Sequence, residues 1–465
     1  VDRPDESTAL VEWGVPSGVL DGAELRVRPA DGARGPSDAP HDESRSVIAS
    51  HDGARIVLAA PRAVGSMPPG ASFEVQAPWS PPILAARIAT RTPADADLPA
   101  IDMRLATTRG TNALLERRGH PPVLFITAGF GDLLEIGDQS RPDLFALDII
   151  KPQPLHAMAI EVPERLDVSG AVLEALDLES VRPAAEAALA AGHTIAAVAL
   201  LHSWANPIHE RALAAMLREV GFEHVCASAD LSALIGFLAR TQSAVVDAYL
   251  WGVVGDYLAA VRRGLGPRGR LRVMTSAGGL ASADEFHPKD SLLSGPAGGL
   301  LGAAWAGQRA GRERIITFDM GGTSTDVARC ASTSTRAFPL LRQHRVGDAR
   351  VVAPAVGVET VAAGGGSICA FDRGEMRVGP ESAGASPGPA CYGAGGPLTV
   401  TDCHLLLGRL APERFGIPIH VDAARRRADG VLADVNAHQA GSGGASMTLE
   451  ALLEGFLALA DERMA

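Results

Sequence analysis

The sequence predicts an α/β protein preceded by a small β-rich module, on three observations. From Ile101 onward, short apolar runs alternate with helical patterns, the rhythm of α/β architecture. Several of those runs end in glycine-rich turns that lead into a helix start. Residues 1–98 lack this rhythm and are instead rich in Pro, Gly, Asp and Ser, with short alternating runs. The 465 residues allow about two to four domains. We divide them into the β-rich module over 1–98, one α/β lobe over 99–222 and a second over 223–465.

Within the module, residues 23–28, 46–50, 55–59 and 72–76 read as strands, with a turn at 51–54 and a loop at 29–42. A strand at 103–107 then leads into a polar turn and a short helix ending at Gly119. A strand is expected at 123–127. Ser180 reads as the cap of a helix with Pro183 in its first turn and Gly192 as its stop, and a strand follows at 194–201. Asn206-Pro207 starts a helix with Leu213, Met216, Leu217 and Val220 on one face, stopped by Gly221. Val246, Tyr249, Leu250, Val253, Tyr257 and Val261 recur at helical spacing and predict a core helix over 241–263. After a strand at 271–275, Ser294-Gly295-Pro296-Ala297-Gly298-Gly299 opens a helix whose small residues permit close packing, as at a hinge.

The chemistry is concentrated just downstream. The apolar run 315–318 reads as a buried strand, and it ends in Asp319, Gly321-Gly322, the hydroxyls of Thr323, Ser324 and Thr325, and Asp326. Two glycines without Cβ atoms let the backbone turn tightly and offer N–H groups to an anion. Asp319 suits a hydrated Mg²⁺, which keeps several waters and is anchored by one or two carboxylates plus phosphate. The alternative is an ordinary hairpin turn. Further on, residues 361–368 form a second glycine loop, 379–396 a long Gly/Pro/Ala/Ser stretch, and 399–402 a helix cap.

Composition excludes some partners. The net charge of −12 and the absence of a basic patch argue against nucleic acid and anionic membrane. No apolar run is expected to span a bilayer. Five dispersed cysteines form no zinc pattern, which fits reduced thiols in a cytoplasm. Cys391 has no identifiable His partner and reads as a small hydrophobe, and His202 and His404 read as packing residues. Val1 in place of Met, and the uncapped run 455–465, suggest a fragment.

Taken in order, residues 107–119, 129–137 with 141–145, 294–299, 319–326, 363–367 and 382–393 resemble the blocks of the hydantoinase A/5-oxoprolinase family. The resemblance covers about residues 99–410, and the module over 1–98 looks like an insertion found in an oxoprolinase-like branch. It implies the two-lobed, ribonuclease H-like ATPase fold of actin, Hsp70 and sugar kinases, incomplete at both ends: the first phosphate hairpin and the adenine loop of that family are missing. It further implies ATP and Mg²⁺ as cofactors, phosphorylation of the amide oxygen of a cyclic amide, and completion of hydrolysis by a B-type domain or subunit, in an oligomer. By the same likeness Asp319 and Thr323 are the catalytic candidates, with Gly321, Gly322, Thr323, Ser324 and Asp326 holding nucleotide and Asp319 holding Mg²⁺ through water. Thr108, Thr111, Asn112, Gly365, Gly366 and Ser367 are the substrate candidates; helix capping is the alternative for the first three, and turn formation for the others. Asp138 departs from the family pattern, where a basic or aromatic residue is commoner. A ketone carboxylase and a non-catalytic nucleotide-gated module are the rival readings.

Overall fold

The computed structural model describes residues 2–5, 8–10, 15–27, 45–51, 55–58, 73–138, 145, 147, 151–331, 338–442 and 444–465. They fall into two compact units, Val1–Gly299 with Leu340–Val356, and Leu300–Pro339 with Gly357–Ala465. The expected division at 222 lies inside the first of these, and the division at 299/300 falls within the helix Ser294–Arg309.

In the first unit, the N-terminal module is an antiparallel sheet in the order Asp2–Asp5, Thr8–Leu10, Arg55–Leu58, Arg45–His51, Glu24–Val27, Phe73–Gln76. The loop expected at 29–42 and the turn residues 52–54 lie outside the described residues. The sequence reading missed the helix Pro81–Thr90, whose signals were Pro81 in its first turn and the buried i, i+4 pair Ile83 and Arg87.

The central sheet of this unit is wholly parallel, in the order His224–Ala227, Ile195–Ala199, Val123–Thr127, Met158–Val162. Val123–Thr127 and Ile195–Ala199 are buried along their whole length, because helices cover both faces. Val123 and Phe125 pack with Val181, Ala185, Leu213 and Leu217 on one side. Leu124 and Ile126 pack with Ala244, Val245 and Ala248 on the other. Two expectations are corrected here. Asp177, not Ser180, caps the helix Leu178–Ala190, accepting from the Ser180 N–H at 3.1 Å, and Pro183 lies inside that helix. The helix Phe237–Leu265 is also long and apolar enough to cross a membrane; it serves instead as a core element, more than half buried, between the central sheet and a second sheet in the order Leu280–Ser282, Arg270–Met274, Asp102–Leu105.

Beside that helix, a buried polar network ties together the carboxyl ends of two strands. Glu210 is fully buried and accepts from the N–H groups of Leu200 and Ala229 and the hydroxyls of Ser203 and Ser228. Arg240, 1% exposed, donates to Ser228 Oγ, Leu200 O and Leu234 O. Burial pushes the Glu210 carboxyl up and the Arg240 guanidinium down, the latter opposed by Glu210. Removing one charge of such a pair strands the other. Arg240→Met is therefore expected to destabilise the fold by about 3–5 kcal/mol, measured by urea unfolding; a loss below ~1 kcal/mol would contradict this account of the network.

The second unit is built on a three-stranded antiparallel sheet, Arg314–Met320, Thr325–Ala331, Glu359–Val361. A hairpin, Ser367–Asp372 with Glu375–Ser382, packs on the helices Val400–Leu406, Val421–Ser442 and Leu449–Met464 around Val378, Val400, Leu452 and Phe456. Thr399 and Asp402 form a full capping box at the start of the first of these helices.

Candidate nucleotide-phosphate site

The hairpin Arg314–Met320/Thr325–Ala331 turns through Gly321–Ser324, closed by Gly321 N–H donating to Ser324 O at 2.9 Å. Asp319, Gly321, Gly322 and Thr323 are exposed, Ser324 is half-buried, and Asp319 is not sealed in a core. The N–H groups of Gly322 and Thr323 find no acceptor among the described residues. An exposed turn with two free N–H groups is a ready anion site. Asp319 sits directly opposite Asp326 in the ladder, so two carboxylates share one face of the sheet. Like charges so placed repel unless a cation lies between them, which makes the donor set suited to Mg²⁺. Asp326 also accepts from Thr360 Oγ1 at 2.7 Å, which fixes its carboxylate. Thr325 is corrected: its hydroxyl turns inward, donating to Ala363 O at 2.7 Å, and is not presented to a ligand.

The second glycine loop lies directly against this turn. Gly365 N–H donates to Gly321 O at 3.0 Å and Gly366 N–H to Gly322 O at 2.7 Å. A Cβ on Gly364 would stand 2.7 Å from Gly321 O and 2.9 Å from the Gly322 carbonyl, and one on Gly366 would stand 2.8 Å from Gly322 O. Here the absence of a side chain is a packing requirement. Ser367 is 1% exposed and its Oγ accepts from Gly364 N–H, so it tightens the loop rather than facing a substrate.

A third block joins them. Ala383 N–H donates to Gly366 O at 2.8 Å, and Ser382 Oγ to Gly322 O at 3.4 Å. Asp402, fully buried, receives the N–H groups of Ala390, Cys391 and Thr399, holding the long Gly/Pro segment to the helix start. Cys391 is fully buried, and burial together with Asp402 pushes its thiol up to about 12. Such a thiol is a poor nucleophile, in keeping with the packing role. Sequence reasoning missed Thr360, Ser382, Thr401 and the anchoring role of Asp402, whose signal is contact at long sequence separation.

In the first unit, Thr108 and Asn112 are exposed and Thr111 is half-buried, at the start of the helix Arg109–Leu115. Thr108 occupies the N-cap position but makes no capping hydrogen bond; Thr107 Oγ1 receives the Arg109 N–H instead. Residues 129–131 bind a carboxylate of their own, with Gly129 and Gly131 N–H both donating to Glu161 Oε1. Asp138 is paired with Arg350 at 2.5 Å. Of the block at 141–145, residues 141–144 lie outside the described residues.

These blocks coincide with two family profiles: Hydantoinase/oxoprolinase N-terminal region over 86–221 and Hydantoinase/oxoprolinase over 240–465. The chain belongs to the hydantoinase/oxoprolinase family. Among relatives of the family, 5-oxoprolinase 1 of Arabidopsis thaliana is 37% identical over 395 residues, covering 78% of this chain and 31% of its own length. The chain thus spans about a third of that relative. Of solved structures, nucleotide-free acetone carboxylase, studied for ATP-dependent acetone carboxylation, matches with a TM-score of 0.65 and 25% identity over 78% of this chain and 52% of its own. The ATP-dependent caprolactamase of Pseudomonas jessenii matches with a TM-score of 0.61 and 29% identity, over 77% and 52%. The fold is therefore the ATPase fold of this family, as the motifs implied.

Proposed function

We propose that this hydantoinase/oxoprolinase chain is the nucleotide-handling part of an ATP-dependent enzyme that opens a cyclic amide such as 5-oxoproline or a hydantoin. The observation that carries this reading is the exposed turn at Gly321–Thr323, with two N–H groups that find no acceptor among the described residues, beside the opposed carboxylates of Asp319 and Asp326. A lactam carbonyl is a poor electrophile because amide resonance feeds it electrons. Transfer of the γ-phosphoryl group to the amide oxygen would release ADP and leave an imidate phosphate. Water adds to its carbon, the C–N bond of the adduct breaks with protonation of the nitrogen, and hydrolysis of the resulting acyl phosphate gives the open carboxylate and phosphate. Phosphoryl transfer requires positioning and charge neutralisation above all. Gly322 and Thr323 N–H would donate to phosphate oxygens, Asp319 would hold Mg²⁺ through water, and Asp326 would support it. Mg²⁺ supplies neutralisation of the phosphate charge when bound. Thr108, Thr111 and Asn112 are the proposed substrate contacts, and a B-type domain or subunit is proposed to complete hydrolysis in an oligomer. Five free, buried thiols suit a cytoplasmic enzyme.

ATP hydrolysis by the full-length protein is expected to rise when 5-oxoproline, a hydantoin or caprolactam is added. Turnover indifferent to every cyclic amide would overturn the reading. The likeness to acetone carboxylase favours a second reading, ATP-dependent ketone carboxylation, which predicts turnover dependent on bicarbonate and a ketone. Nucleotide-driven closure without turnover would indicate a non-catalytic gated module.

A further inference from the structure

We infer that Thr401 is a positioning residue that strengthens the phosphate-binding N–H groups from a distance, through a relay of hydrogen-bonded peptide groups. Thr401 donates twice to Gly365 O, from its N–H and from Oγ1, each at 2.8 Å. The peptide group that carries Gly365 O also carries Gly366 N–H, which donates to Gly322 O at 2.7 Å. That carbonyl in turn shares its peptide group with Thr323 N–H, which is exposed and has no acceptor among the described residues. A second relay runs beside it. Ser367 N–H donates to Gly364 O at 3.1 Å, and Gly365 N–H, in the same peptide group, donates to Gly321 O at 3.0 Å. Gly321 O belongs to the peptide group of Gly322 N–H.

Each acceptor bond drawn onto a carbonyl polarises its amide and makes the N–H at the other end a better donor. Both relays therefore deliver positive character to the two N–H groups aimed at an anion. The first starts on a side chain, so it can be tuned by mutation. Thr401 touches neither nucleotide nor substrate; it acts through Gly365 and Gly322.

The inference rests on the phosphate reading of the turn at Gly321–Thr323. Its test compares wild type, Thr401→Val and Thr401→Ser in the full-length protein, measuring KM for Mg·ATP, kcat, and binding of ATP and of adenosine. Thr401→Val keeps the backbone donor and loses the hydroxyl. The expected result is about a 3- to 10-fold loss of ATP affinity with adenosine binding unchanged, restored by Thr401→Ser. A structural role alone would weaken both ligands together and overturn the relay, as would a valine variant equal to wild type. Failure of the wild type to bind ATP would instead overturn the phosphate reading itself.

Discussion

Replacing Gly366 or Gly364 by alanine is expected to lower nucleotide turnover by about a hundred-fold, the cost of displacing catalytic groups by roughly an ångström. Each added Cβ would meet backbone atoms of the phosphate turn at 2.7–2.9 Å, and no side chain can swing aside to admit it. Either the buttress retreats, breaking the bonds to Gly321 O and Gly322 O, or the turn itself moves. Overpacking of this kind also costs about 1–3 kcal/mol of stability, so unfolding should be measured alongside turnover. Gly302→Ala is the control, since a Cβ there meets nothing within 4 Å. Full activity in Gly366→Ala would show that the two loops do not act as one.

Asp319→Asn is expected to lower turnover by about 10²–10³-fold, the range seen when one preorganised charge-stabilising group is removed. The side chain is exposed and the replacement nearly isosteric, so the fold should survive. Its position opposite Asp326 sharpens the test. Two opposed carboxylates destabilise a ladder by about 0.2–1 kcal/mol, and the amide relieves that repulsion. The variant should therefore be inactive yet at least as stable as wild type without nucleotide, with a weakened Mg²⁺ dependence. A variant that loses activity because it unfolds would assign Asp319 a structural role.

The chemistry of the turn was legible because it is local: an apolar strand, two glycines, hydroxyls and two acids occupy residues 315–326. The burial expected of that strand is corrected, since Ile316 and Phe318 are exposed. The buried parallel strands were legible for the same reason, being short apolar runs closed by turn residues. What supports the turn was not. Thr401 reaches Gly365 across 36 residues and Ser382 reaches Gly322 across 60, and no local pattern encodes such contacts. The direction of a hydroxyl was equally hidden. Thr323 and Thr325 read alike in sequence, yet Thr323 lies in the exposed turn, whereas Thr325 opens the next strand and is buried against Ala363 O. Ser367 looked like a ligand group beside two glycines and instead closes its own loop onto Gly364. The helix Pro81–Thr90 was missed although Pro81 in its first turn and the buried pair Ile83 and Arg87 signal it, because the residues before it read as strands.

A crystal structure of the full-length protein with Mg·ADP and a γ-phosphate mimic tests the central claim most directly. The terminal phosphate oxygens should lie within hydrogen-bond distance of Gly322 and Thr323 N–H, with the metal's waters on Asp319. Phosphates bound elsewhere, with Gly321–Thr323 bare, would contradict it.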